Sequence, residues 1–208
     1  MLKICHRVNT LDHLKEISNT DYGVEIDIRY HENNLVLHHD PFNHNLNNPT
    51  LLQDFLANYH LQGPIILNVK TEGIEQECIN LMNKFNIKNW FFLDLSMPYF
   101  VKYALLAEKK TILGFNKGNL AVRFSEYEPL EYALAFTGKS SWVWVDCFSK
   151  MPLNKENYSK LKESGFKICL VSPELQGHDI SLIDDFKKQL QDNNIQVDAV
   201  CSKRVDLW

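Results

Sequence analysis

The sequence predicts a compact (β/α)₈ barrel, an α/β fold, built over residues 1–208 as one domain. Three observations predict it. Eight short runs rich in β-branched and aromatic residues recur along the chain, amphipathic stretches of helical length separate most of them, and polar or charged residues collect just after the runs. Strands that alternate with helices imply parallel β-α-β units. An open doubly wound sheet uses the same alternation, but eight runs suit closure. The length lies at the low end for such a barrel, which typically needs ~250 residues.

The first run, residues 2–5, leads into a helix over 10–17, with Asn9 or Thr10 as its N-cap. The second, 23–28, is followed by a short extended piece at 35–37 and a helix over 51–59. The third, 65–69, precedes a helix over 74–85, where Cys78, Leu81, Met82 and Phe85 follow the spacing of one helix face. The fourth, 90–93, precedes a helix over 98–107. The fifth strand is expected at 111–115, and the order of loop and helix across 116–139 is open. The sixth, 142–147, and the seventh, 167–171, precede helices over 155–164 and 180–191. After the eighth, 197–201, only residues 202–208 remain, so the last helix is missing or supplied by other means.

Hydrophobic residues at 45% and charged residues at 23% fit a globular protein and exclude a disordered one. A net charge of −4 leaves no electrostatic footprint for non-specific nucleic-acid binding, so local cations would have to hold any phosphate ligand. The N-terminus turns polar too early for a signal peptide. No apolar run approaches the ~20 residues of a membrane-spanning helix, so no integral membrane segment is expected. Cysteines at 5, 78, 147, 169 and 201 are odd in number and form no zinc-type cluster, which fits a reducing, cytoplasmic compartment.

In a parallel barrel the strand ends share one face, where catalytic groups gather. His6 and Arg7 follow the first strand, Glu25 and Asp27 lie on the second, and Asn68 and Lys70 end the third. Later ends offer Asp94, Asp146 and Glu174. Residues two apart on a strand point to the same side, so the carboxylates of Glu25 and Asp27 project together. Two such carboxylates repel unless a cation lies between them, and a hard divalent ion with oxygen ligands is the natural partner.

Three segments taken in order carry a more specific signal: Cys5-His6-Arg7-Val8-Asn9-Thr10, then Val24-Glu25-Ile26-Asp27-Ile28-Arg29, then Leu35-Val36-Leu37-His38-His39-Asp40-Pro41. Over roughly the first forty residues the chain resembles the glycerophosphodiester phosphodiesterase family, with Lys70 as a weaker extension. The resemblance implies a barrel of the phospholipase-C-like phosphodiesterase type acting on a small phosphodiester. It implies His6 and His39 as the acid–base pair, Arg7 and Lys70 as neutralisers of phosphate oxygens, and Glu25 and Asp27 as ligands of Mg²⁺ or Ca²⁺. The chemistry agrees. Imidazoles suit proton transfer near neutrality, and Arg holds phosphate oxygens in pairs.

The chain departs from the family pattern at three points. Val8 stands where a Gly is usual, the insertion after the His-Asp motif is short, and Asn68 replaces the third metal carboxylate. Asn68 would ligate through its amide oxygen, or Asp146 would complete the shell. Arg123, in the charged stretch 121–129, is read as a second anion-binding group, and Glu126 as a hydrogen-bonding partner for a sugar or polyol; a solvated loop is the plainer reading of both. His38 is expected to point away from the pocket, and His13, His31, His44 and His60 to face solvent. Trp142 and Trp144 are expected to pack the barrel or its helical shell.

The leading expectation is metal-dependent hydrolysis of a glycerophosphodiester-like, sugar or polyol phosphodiester, with cyclisation through an internal hydroxyl as a related course. The alternative is a catalytically weakened barrel that binds a phosphorylated ligand without turnover. A Schiff-base role for Lys70 is a weaker third reading, because such a lysine needs an apolar pocket.

Overall fold

The computed structural model describes residues 1–41 and 48–208; His44 lies outside them. Among the described residues nine strands form one sheet: β1 (Leu2–Cys5), β2 (Gly23–His31), β3 (Asn34–Leu37), β4 (Ile65–Val69), β5 (Trp90–Leu93), β6 (Ala121–Phe124), β7 (Trp142–Val145), β8 (Lys167–Val171) and β9 (Ala199–Ser202). Eight of them are parallel, in the order β5-β4-β2-β1-β9-β8-β7-β6, and β3 folds back antiparallel onto β2. The two end strands meet through a single parallel bridge, Phe92 to Leu120, so the barrel is nearly closed. Asn119 reinforces this seam by donating its side-chain amide to the Trp90 carbonyl at 2.9 Å.

Helices α1 (Leu11–Glu16), α2 (Leu52–Ala57), α3 (Glu75–Lys84), α4 (Met97–Glu108), α5 (Leu130–Leu134), α6 (Lys155–Glu163) and α7 (Leu182–Asp192) connect the strands. Thr10 caps α1 by accepting from the His13 amide at 3.1 Å. After β9 the chain makes only a 3₁₀ turn over Val205–Leu207.

The period of two along each strand divides the core. Val24, Ile26, Ile28, Ile65 and Leu67 belong to the layer between strands and helices. Ile4, Ile66, Phe91, Trp142, Trp144 and Cys201 fill the barrel itself. Trp142 stacks on Phe91 with ring centroids 4.9 Å apart. Both tryptophans therefore pack inside the barrel. The same alternation turns Glu25 and Asp27 inward, at the end of the barrel where β1, β2 and β4 finish.

One expectation fails. Residues 111–115 are not a strand; the fifth strand of the barrel is β6, ten residues later. Gly114 adopts φ +72, in the left-handed region that favours glycine, and an added Cβ would lie 2.1 Å from Asn83 Oδ1. Asn83 also donates to the Leu113 carbonyl at 2.7 Å, which fixes a turn where the apolar run reads as a strand. Arg123 consequently lies on a strand rather than in the loop after one.

Candidate active site

Glu25 is 1% exposed, Asp27 0% and Asn68 8%. The register pairs Asp27 with Asn68 across β2 and β4, which brings the three side chains together. Glu25 Oε2 accepts the Arg7 amide at 2.8 Å, and its Oε1 accepts the Asn68 side-chain amide at 2.8 Å. Asp27 Oδ2 accepts Asn9 Nδ2 at 2.8 Å, while Asn9 Oδ1 accepts the Asp27 amide at 2.9 Å. Burial first, and the charge of Asp27 second, push the Glu25 carboxyl up to about 7, against the hydrogen bonds from Asn68 and Arg7.

Two oxygens in this cluster have no hydrogen-bond partner: Asp27 Oδ1 and Asn68 Oδ1, both buried. A buried acceptor left unpaired is costly, and oxygens of this kind beside a second carboxylate suit a hard cation. Glu25, Asp27 and Asn68 therefore fit such an ion. Among the described residues no three His, Cys, Asp or Glu side chains form a metal-holding group, so a cation here would need the amide of Asn68. Lys70 stands near the first of these oxygens, with Nζ 3.6 Å from Asp27 Oδ1, and lies 3.3 Å from Asp94 Oδ2.

The two expected proton-transfer groups line one cavity of about 180 Å³, together with Arg7, Asn68 and Lys70. His6 Nε2 lies 3.7 Å from Glu25 Oε2, and its Nδ1 is buried without a partner. Burial, then the charges of Arg7 and Lys203, drive its pKa down to about 3, so the ring is neutral. His39 is held from both sides. Arg7 donates to its Nε2 at 2.5 Å, and its Nδ1 contacts Asp40 Oδ1 at 2.7 Å. Arg has no acceptor and a carboxylate no donor, so Nδ1 carries the proton and Nε2 the lone pair. That bond also holds the Asp40 carboxyl below its usual range. His38 turns elsewhere, its Nδ1 contacting the Asp40 carbonyl at 2.8 Å.

The opposite wall of the cavity is built around Arg123. Its guanidinium donates to Asp94, to Asp146 and, at 2.8 Å through Nε, to Glu128. These carboxylates raise its pKa above the ordinary arginine value in spite of burial. Burial pushes the Asp146 carboxyl up to about 6, with Arg123 opposing and Asp94 adding to the rise. Gln176 donates to Asp146 Oδ1 at 2.8 Å. Asp146 thus faces the shared cavity through partners of its own, and Arg123 reaches that cavity already ringed by acids. Glu126 accepts the Ser149 amide and ties two rim loops together. Glu174 accepts from Ser172, Ser202 and the Lys203 amide, pinning the ends of β8 and β9.

Sequence reasoning gave no site role to Asn9, Arg29, Asp40 or Gln176. Arg29 donates to the His39 carbonyl at 2.8 Å through Nη2 and to the Lys70 carbonyl at 3.2 Å through Nη1. Its signal was present, since it continues the period of two from Glu25 and Asp27.

No model of a known protein family matches the sequence. No curated protein matches it either. Solved structures do share the fold. A glycerophosphodiester phosphodiesterase of Agrobacterium tumefaciens is similar at TM-score 0.69 and 14% identity, covering 100% of this chain and 99% of that one. A glycerophosphoryl diester phosphodiesterase of Parabacteroides distasonis reaches TM-score 0.67 at 12% identity, over 99% of this chain and 84% of that one. A candidate glycerophosphodiester phosphodiesterase of Galdieria sulphuraria gives TM-score 0.67 at 18% identity, over 99% and 95%. At these identities the likeness is one of fold.

Proposed function

We propose that this chain, as one barrel domain over residues 1–208, is a metal-dependent phosphodiesterase acting on a glycerophosphodiester-like, sugar or polyol phosphodiester. The observation that carries the reading is the convergence of His6, Arg7, His39, Asn68 and Lys70 on one small polar cavity beside the buried Glu25–Asp27 pair. The fold shared with solved phosphodiesterases supports it further.

Each group has a part to play. Arg7 and Lys70 offset the charge of the phosphodiester. His39 takes the proton of the attacking water on Nε2 once Arg7 leaves that lone pair for the phosphate, and the Asp40 carboxylate behind Nδ1 stabilises the resulting imidazolium. His6, neutral in the free chain, takes up a proton as the negative phosphodiester binds beside it and then gives that proton to the leaving alkoxide. Glu25, Asp27 and Asn68 would hold Mg²⁺ or Ca²⁺, which when bound polarises the phosphoryl oxygens. An internal hydroxyl in place of water would give a cyclic phosphate from the same groups. The net charge of −4 disfavours nucleic acid as substrate. No helix among the described residues is long and apolar enough to cross a membrane. Five unbridged cysteines support a cytoplasmic setting.

A second reading, a barrel that binds a phosphorylated ligand without turnover, is favoured by Lys70 lying close to Asp27, where it competes with a metal for that carboxylate. Cleavage of a chromogenic phosphodiester separates the two. Turnover that needs Mg²⁺ or Ca²⁺, stops with chelator and falls on His39→Ala supports the enzyme. Absence of metal-dependent turnover across a panel of diesters rejects it. Phosphorus NMR of the products distinguishes hydrolysis from cyclisation.

A further inference from the structure

A cavity of about 530 Å³ that shares no lining residue with the candidate active site lies at the end of α4 and the turn that replaces the expected strand. Its floor is apolar, formed by Ala104, Ala107, Ile112 and Phe115. Lys110, Lys117 and Lys139 rim it, with Glu108 as the single acid. Among the described residues no carboxylate pairs with any of these three lysines. Beside the cavity Leu113 is 88% exposed, the most exposed of the large apolar side chains among the described residues. Its position is built rather than incidental, since Asn83 grips its carbonyl and Gly114 permits the turn. The apolar surface continues along α4, where Met97, Val101 and Leu105 recur every four residues and are all exposed.

We infer that this face docks on an anionic lipid bilayer, with Leu113 and the α4 stripe entering the interfacial layer and the lysines meeting the headgroups. Charge selects the partner. Residues 97–118 hold four lysines and one acid, in a chain whose net charge is −4. A second copy would set lysines against lysines and is disfavoured. The cations are all lysine, a residue depleted from protein–protein interfaces and suited to a diffuse layer of anionic headgroups. Its long apolar stem lets the ammonium reach headgroups while Leu113 goes deeper.

Co-sedimentation of the full chain with phosphatidylcholine vesicles, with and without phosphatidylserine, tests this without reference to any activity. Binding at least about tenfold stronger to the anionic vesicles, and weakened by salt, is expected. Leu113→Asp, and separately Lys117→Glu with Lys139→Glu, should abolish it; all three side chains are exposed, and unchanged circular dichroism would verify the fold. No binding, equal binding to neutral vesicles, or binding indifferent to these substitutions would overturn the inference. A dimer in solution that Leu113→Asp dissociates would overturn it in favour of a second copy.

Discussion

Asn68 gives its amide proton to Glu25 Oε1 at 2.8 Å and keeps its own Oδ1 buried and unpartnered. One side chain thus neutralises part of the carboxylate pair and offers a ligand oxygen of its own. Replacing it by Asp removes the donor and adds a third negative charge beside Glu25 and Asp27. With chelator present, Asn68→Asp should lower stability by about 1–3 kcal/mol, the cost of leaving a buried group unpaired. With Mg²⁺ or Ca²⁺ it should melt higher than in chelator, by a wider margin than the wild type shows. Thermal melts in the two conditions measure this; equal melting temperatures with and without cation in both proteins would exclude a metal at these oxygens.

The raised carboxyl of Glu25 has a consequence for pH. A folded-state pKa near 7, above the ordinary value, means that the folded chain holds its proton where the unfolded chain has lost it. The stability contributed by the protonated form is complete below the ordinary carboxylate pKa and is lost as pH rises through about 7. The metal-free protein should therefore lose melting temperature between mildly acid and neutral pH. Glu25→Gln should flatten that slope. A slope that Glu25→Gln leaves unchanged would assign it to other groups.

Much of the site was legible because its signals are local. The Glu25–Asp27 spacing needs only a strand, and alternation along β2 turns both side chains into the barrel. The grip of Asn9 on Asp27 was not legible, because it joins residues 18 apart that read separately as a helix cap and a strand. The displaced fifth strand failed for a related reason. Residues 111–115 have the composition of a strand, but Asn83, 30 positions earlier, holds them as a turn. Arg123 could be singled out as a charge, yet Asp146, just after β7, reaches it only through strand pairing, and Asp94, just after β5, only through the meeting of the sheet's two ends.

Those partners make Arg123 a structural cation before it can be a ligand for substrate. Arg123→Met leaves Asp94, Asp146 and Glu128 facing one another, and breaking such pairing costs about 3 kcal/mol or more when buried. The loss of stability should grow as pH rises through about 6, where Asp146 ionises. Asp94→Asn in the Arg123→Met background should recover part of it, by removing one of the repelling charges. Chemical denaturation of the two single variants and the double variant measures the coupling. Strictly additive losses would mean that the guanidinium does not act through these acids.

Arg29 acts on the site through backbone. Its guanidinium spans the carbonyls of His39 and Lys70, so one side chain ties together the proposed proton-transfer group and a proposed phosphate-binding group. Arg29→Met leaves both carbonyls without these donors, and stability should fall by about 2 kcal/mol. Looser placement of His39 should reduce kcat by about tenfold to a hundredfold, since misplacement of about 1 Å has effects of that size. KM should move less, because Arg7 and Lys70 keep their charges. Arg29→Lys supplies the charge without the planar fork and should rescue stability better than kcat. Steady-state kinetics on a chromogenic diester, beside denaturation of the same variants, separates the two effects. If kcat of Arg29→Met matched wild type while stability fell, Arg29 would be a brace for the fold with no part in positioning His39.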